Sequence, residues 1–289
     1  MPVRAAAAVR RPFRAAGRAL SVSVAFALAI TFAPTSVQAS QCFAFVENAP
    51  AAPSPLRLAS WRPADAAQLA EVPQVAIEFV GHATFQLTTP GGVVVATDYT
   101  GRNGSAGVPN VVTMNRAHTT HYTDNPDPGI DHVLRGWNPA GGEARHDLEV
   151  GDLRVRNVAT DIRSWASAAV DKHGNSIFIF EVADLCIGHL GHLHHRLSDA
   201  DLALIGRLDV VMAPVDGSWT LDLPNMIATL KDLRASLVIP MHFFGSRSLA
   251  GFLAGMSDEF QIRRAQERTI HVSLASLPRQ PTVLVPYGY

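Results

Sequence analysis

The stretch Asp184-Leu-Cys-Ile-Gly-His-Leu-Gly-His-Leu-His-His195 carries four of the chain's twelve histidines, His189, His192, His194 and His195, within seven residues. It follows an apolar run, Ser176-Ile-Phe-Ile-Phe-Glu-Val182, that reads as a buried strand. Gly188 and Gly191 permit sharp backbone turns there. The histidines are therefore expected where a strand runs out into a loop, the usual place for a site. Neutral imidazole is a good ligand for zinc and its neighbours. The alternative is a polar loop with some exposed histidines.

Two other strand ends favour the metal reading. His118 and His121 follow Val111 to Met114, and His242 follows Leu237 to Met241. Ligands in α/β proteins collect beyond the carboxyl ends of strands. The spacing of His118 and His121 puts both on one side of a helical turn. We expect His118, His121, His192 and His242 to converge on a divalent metal, with His82 and His195 close by. Taken singly, each of these would be read as a structural or exposed histidine. An all-imidazole set with an open position suits zinc, one ion or two, and also suits iron, manganese or copper. Asp98, at the end of an apolar strand, could orient a ligand histidine or simply cap a turn. Such a metal would acidify bound water and polarise a carbonyl or phosphoryl oxygen.

Composition bounds the partners. The chain has 289 residues, is 47% apolar and 17% charged, and has a formal net charge of −1. This is ordinary globular composition and gives no sign of a nucleic-acid or membrane-surface partner. The expected partner is a small-molecule substrate. The N-terminus reads as a signal peptide, 1–39: Arg4, Arg10, Arg11, Arg14 and Arg18 precede an apolar run from Leu20 to Ala33, and Val37-Gln38-Ala39 suits cleavage. The apolar run is short for a spanning helix, so no stable anchor is expected after cleavage. Arg10-Arg11-Pro12-Phe13 resembles the core of a twin-arginine signal. Export to the periplasm or outside would permit a disulfide between the two cysteines, Cys42 and Cys186; a buried and a free thiol are the other reading.

Residues 40–73, rich in alanine and proline, read as an arm, and 74–289 as a single domain. Strands are expected at 75–79, after Phe85 through Thr88, and at 93–97, 110–114, 146–150, 153–158, 176–182, 209–213 and 237–241, with a short element at 131–135. Residues 160–175 read as a loop, and 281–289 as a tail. Helices are expected at 198–205, capped by Ser198, at 223–234 with Asp222 near its start, and at 249–256. Many strands first, then strand–helix alternation, predicts two sheets with helices outside them.

Several segments together resemble the metallo-β-lactamase superfamily, in its lactonase-like and RomA-like branch. Gly81-His82-Ala83-Thr84-Phe85 and Thr97-Asp98 match two strand motifs, Asp184 to Leu197 the "HLGDLGH" segment, Pro214 to Asp222 the "PVGG…T.D" segment, and Ile239-Pro240-Met241-His242 the last histidine motif. The resemblance implies an α/β fold, a four-layer αββα sandwich, with a metal site at one edge. It also exposes departures. Against H-x-H-x-D-H the chain has Arg116-Ala117-His118-Thr119-Thr120-His121, and His192 stands where the family has a metal-bridging aspartate. No residue between Val158 and Trp165 matches the family's middle histidine.

Arg116 and His192 both make the pocket more positive, which would favour an anionic substrate. Arg116 is expected to grip that anion, the other reading being that it points away and pairs with a surface acid; His82 is expected as a second catalytic residue. Two readings follow: an exported metal-dependent hydrolase of an ester, lactone or phosphoester, or an inactive metal- or ligand-binding envelope protein on the same fold.

Overall fold

The computed structural model describes Cys42, residues 72–163 and residues 169–288. The expected signal peptide and almost all of the expected arm lie outside the described residues. Two sheets carry the fold. The first has six strands in the order β13-β1-β2-β3-β4-β5: β1 is Val75–Gly81, β2 Thr84–Thr88, β3 Val94–Ala96, β4 Val111–Met114, β5 His132–Arg135 and β13 Thr269–Val272. The second has eight in the order β12-β14-β11-β10-β9-β8-β7-β6. Here β6 is Asp147–Val150, β7 Leu153–Arg163, β8 Val170–Val182, β9 Leu185–His189, β10 Val210–Pro214, β11 Leu237–Met241, β12 Gln261–Arg264 and β14 Thr282–Val285.

Period-two alternation builds the layers. Along β8, Phe178, Phe180 and Val182 face a core shared with Ile77, Phe85 and Leu87 of the first sheet. Ile177 and Ile179 face the opposite way, into a second core. β10 divides likewise, with Val210 and Met212 inward and Val211 and Ala213 outward. The strands β9, β10, β11 and β14 are parallel neighbours covered on both faces, which is why they read as continuous apolar runs.

The outer core is closed by α1 (Asp199–Ile205), α2 (Leu223–Leu233) and α3 (Ser246–Met256), which supply Ile205, Met226, Leu230, Leu249 and Phe252. Ser198 caps α1 in a reciprocal capping box with Asp201, and Asp222 caps α2. Among the described residues all three helices join this core. The other outer face, behind Ala96, Val112 and Met114, is closed by Tyr99, Tyr122, Ile130 and Trp137. The result is a sandwich of two stacked mixed sheets with helices outside.

Three expectations are corrected. The segment 160–175 is no simple loop, because β7 runs to Arg163 and β8 starts at Val170. The segment 281–289 contributes β14, inserted between β11 and β12. Gly188 sits inside β9 rather than at a turn; a Cβ there would lie 2.7 Å from Leu208. The reversal into β9 comes earlier, where Ala183 and Asp184 both have left-handed backbone.

A disulfide joins Cys42 to Cys186. It ties the chain before the domain to β9, and the Arg207 amide also donates to the Cys42 carbonyl. Beside it the buried Glu181 accepts from Arg156 at 2.7 Å, while the same guanidinium donates to the Leu204 and Ile205 carbonyls at the end of α1.

Candidate metal centre

Each candidate side chain leaves the end of a strand on the same edge of the sandwich. His82 lies in the turn between β1 and β2, Asp98 follows β3, and His118 and His121 follow β4. His192 follows β9, Asp216 follows β10, and His242 follows β11. His82, Asp98 and His242 all have left-handed backbone, at φ 56°, 40° and 51°. Non-glycine residues persist there only where the surroundings compel them, which is common at functional sites. The His242 amide donates to the His82 carbonyl at 2.9 Å, joining the two sheets at this edge.

One nitrogen from each of His82, His118, His121 and His242 lies within 4.8 Å of the other three. His121 and His242 are buried. The Nδ1–H of His121 donates to Asp98 at 2.5 Å, and that of His242 to Asp216 at 3.1 Å. Their Nε2 atoms are buried without a partner. A buried unpaired nitrogen is costly, and a lone pair fixed by a carboxylate behind the ring is how metal-ligating histidines are held. His118 faces them, with its Nδ1 2.7 Å from the Thr120 hydroxyl, which lies 2.9 Å from His82 Nε2. These residues fit a metal ion of imidazole preference.

The electrostatics agree. Burial pushes the Asp98 carboxyl up to about 6, which still leaves it ionised at neutral pH to accept from His121. Burial alone would raise Asp216, but hydrogen bonds from His242, Thr220 and the Ser218 amide hold it well below the usual carboxylate range. Burial pushes His82 down to about 3 and His194 to about 4, and holds His121 and His192 well below the ordinary histidine value. These four rings are therefore neutral, the state in which an imidazole can serve as a ligand.

Residues 76–242, over half of the chain, match the family model for the beta-lactamase superfamily domain. The chain belongs to the metallo-β-lactamase superfamily. Two relatives, metal-dependent hydrolases of the UPF0173 group from Anaeromyxobacter sp. (strain K) and Anaeromyxobacter dehalogenans, are each 27% identical over 216 residues, covering 61% of this chain and 77% of theirs. A Thermotoga maritima protein assigned to Zn-dependent hydrolases of the superfamily aligns over 73% of this chain and 98% of its own. That match has a TM-score of 0.50 and 21% identity, a likeness of fold.

Within this superfamily the centre is built from histidines that the motif departures left in place, and several expected positions are corrected. Arg116 stands off the cluster: its guanidinium is 55% exposed and pairs with Asp171 at 3.7 Å. A fixed cation gains hydration and a counter-charge there, and would lose both beside a metal. His195 does not join either; its Nε2 accepts from the Asp161 amide and its Nδ1 donates to the Arg196 carbonyl. His82, expected as a catalytic residue, lies with His118, His121 and His242 in the group of four. His192 reaches the cluster, its Nε2 3.0 Å from that of His118, but it lies outside that group. His189 donates to the Ala83 carbonyl and accepts from the Gly191 amide, a buried structural ring.

Sequence reasoning missed Asp216, Thr120 as a working hydroxyl, and the role of His194. The signal for Asp216 is its place directly after the apolar strand 209–213.

The charge state makes a prediction. A histidine with a folded pKa below its ordinary 6.5 leaves the folded state with fewer protons than the unfolded chain, so stability falls as pH drops through that window. Asp98, raised to about 6, and Asp209, also raised by burial, oppose this with one proton each, and the histidines outnumber them. In chelator, the urea midpoint is expected to fall as pH drops from 6.5 toward 4 and to stay flat above it. A midpoint that holds steady across that window would mean the rings are charged or exposed.

Proposed function

We propose that this chain is an exported metal-dependent hydrolase whose ion is held by imidazole alone. The observation that carries this reading is the pair of buried, unpartnered Nε2 atoms on His121 and His242, each with a carboxylate behind its ring. His121, His242 and His118 would hold the ion, leaving open positions as catalytic zinc sites do. Zinc is the first candidate, with iron and manganese next. A divalent ion there supplies Lewis acidity and brings water toward ionisation at neutral pH.

The protein groups do the rest. Thr120 takes the place of the family aspartate, accepting from His118 Nδ1 and passing its own O–H to His82 Nε2. His82, neutral and facing the open side, can accept or return a proton during hydrolysis. Beside it opens a cavity of about 540 Å³ lined by Gly81, His82, Thr84, Arg102, Thr119 and Thr120. Arg102 brings to this cavity the positive charge expected of Arg116, which supports an anionic substrate. Trp219 and Phe244, 44% and 63% exposed, stand near His118 and His82 as an apolar rim. A small ester, lactone or phosphoester with one anionic and one apolar end fits these features. The Cys42–Cys186 disulfide supports an oxidising compartment, and with the N-terminal segment supports export to the periplasm.

The second reading, a metal-binding envelope protein without turnover, is favoured by the donor group itself: among the described residues it contains no carboxylate. The two separate on turnover of a panel of lactones, thioesters, phosphoesters and β-lactams, abolished by chelation and restored by zinc. A fully loaded protein that turns over none of them would support the binder.

A further inference from the structure

The neighbours of His192 determine which of its nitrogens carries the proton. His194 Nδ1 receives two donors, the Arg163 backbone N–H at 2.8 Å and the Arg163 Nε–H at 3.3 Å. A nitrogen that accepts two N–H groups cannot itself carry hydrogen. The ring of His194 must then hold its proton on Nε2, which lies 2.5 Å from His192 Nδ1 and donates to it. That leaves His192 Nε2 as the protonated nitrogen, and it donates to His118 Nε2 at 3.0 Å. Arg163 is itself anchored, since its Nη2 donates to the Thr220 carbonyl at 2.6 Å. The backbone of His192 is held as well, its amide donating to Asn175 Oδ1 at 2.7 Å. Gly191 supplies the required left-handed turn, and a Cβ there would overlap Asn115 and Asn175.

The geometry points to His192 as a hydrogen-bond donor at the metal centre, locked by His194 and Arg163, and not as one of its ligands. This rests on the metal-centre reading above and changes the meaning of the position where the family carries a bridging aspartate. An N–H that donates to His118 Nε2 competes with an ion for that lone pair. To coordinate, His192 would have to move its proton to Nδ1, where His194 already presents an N–H. With an ion on His118, the His192 N–H is left to donate to an oxygen in the open position. His194 and Arg163 are positioning residues that act through His192.

The sign of one substitution decides the matter. For an ordinary orienting partner behind a ligand, removal costs about 10- to 100-fold in metal affinity. Here His194→Ala removes the lock, lets His192 shift its proton to Nδ1, and is expected to tighten zinc by at least about tenfold. His194→Gln, whose amide oxygen can accept from Nδ1–H, is expected to tighten it too. Zinc and cobalt are titrated into chelator-stripped full-length protein against a competing indicator, with His192→Gln alongside, which should keep full stoichiometry. In wild type, ¹⁵N NMR should show His192 Nε2 as a protonated, pyrrole-type nitrogen and Nδ1 as pyridine-type, a readout that needs no variant to fold. Weaker zinc in His194→Ala, lost stoichiometry in His192→Gln, or the reverse nitrogen pattern overturns this inference alone. A wild type that takes up no ion overturns the metal-centre reading and this one with it.

Discussion

Replacing His242 with alanine is expected to abolish stoichiometric metal uptake and, with it, any hydrolytic turnover. His242 contributes a buried Nε2 with no other partner, aimed by Asp216 from behind. Loss of a residue that only orients a ligand costs about 10- to 100-fold in affinity, so loss of one of three imidazoles should exceed 100-fold. The backbone at 242 already has positive φ, which alanine tolerates at a cost of about 1–3 kcal/mol. The fold should survive, because the core beneath is built by Leu237, Val238, Ile239 and Met241 rather than by the ring. Metal analysis of protein purified without chelator, alongside circular dichroism, makes the measurement. Full occupancy at unchanged affinity in a folded His242→Ala protein would remove the candidate centre.

Breaking the disulfide should have the largest effect on stability. It closes a loop with a sequence separation of 144 residues, and constraint of the unfolded chain grows with loop length. Cys42→Ser is expected to cost about 2–5 kcal/mol, read as a lower urea midpoint with a steeper slope, because the unfolded chain without the bond is less compact. Cys186 lies fully buried on β9, five residues before the turn at Gly191, so some of that loss should reach the centre as reduced protection of the β9 amides from hydrogen exchange. Reductant should bring wild type down to the level of the variant and leave the variant where it is. Equal midpoints for oxidised wild type and Cys42→Ser would mean that the bond contributes nothing.

The superfamily match and the geometry meet at an unusual point. Two carboxylates of the family motif are replaced, by Thr120 and His192, yet Asp98 and Asp216 remain behind the rings. The negative charge at this centre therefore sits behind the ligands and not among them. The anionic substrate proposed above would meet Arg102, which lines the cavity beside His82.

Much of this was legible from the chain. The strands β1, β2, β4, β10 and β11, and the helices α1 and α2 with their Ser198 and Asp222 caps, follow from local patterns: apolar alternation or continuous burial, and capping side chains close in sequence. That His118, His121, His192 and His242 come together followed from each closing an apolar strand. The tertiary structure alone decided the rest. β14 and the extension of β7 and β8 past Val158 depend on partners elsewhere in the sheet, since a short or polar strand gains its stability from its neighbours. Arg116 turned to Asp171, and His195 to Asp161, because a side chain's direction is settled by distant groups that it can reach. Whether His192 gives a lone pair or a proton is decided by Arg163 through His194. Residue type sets which hydrogen bonds a ring can make, and only the folded arrangement of donors around it selects one.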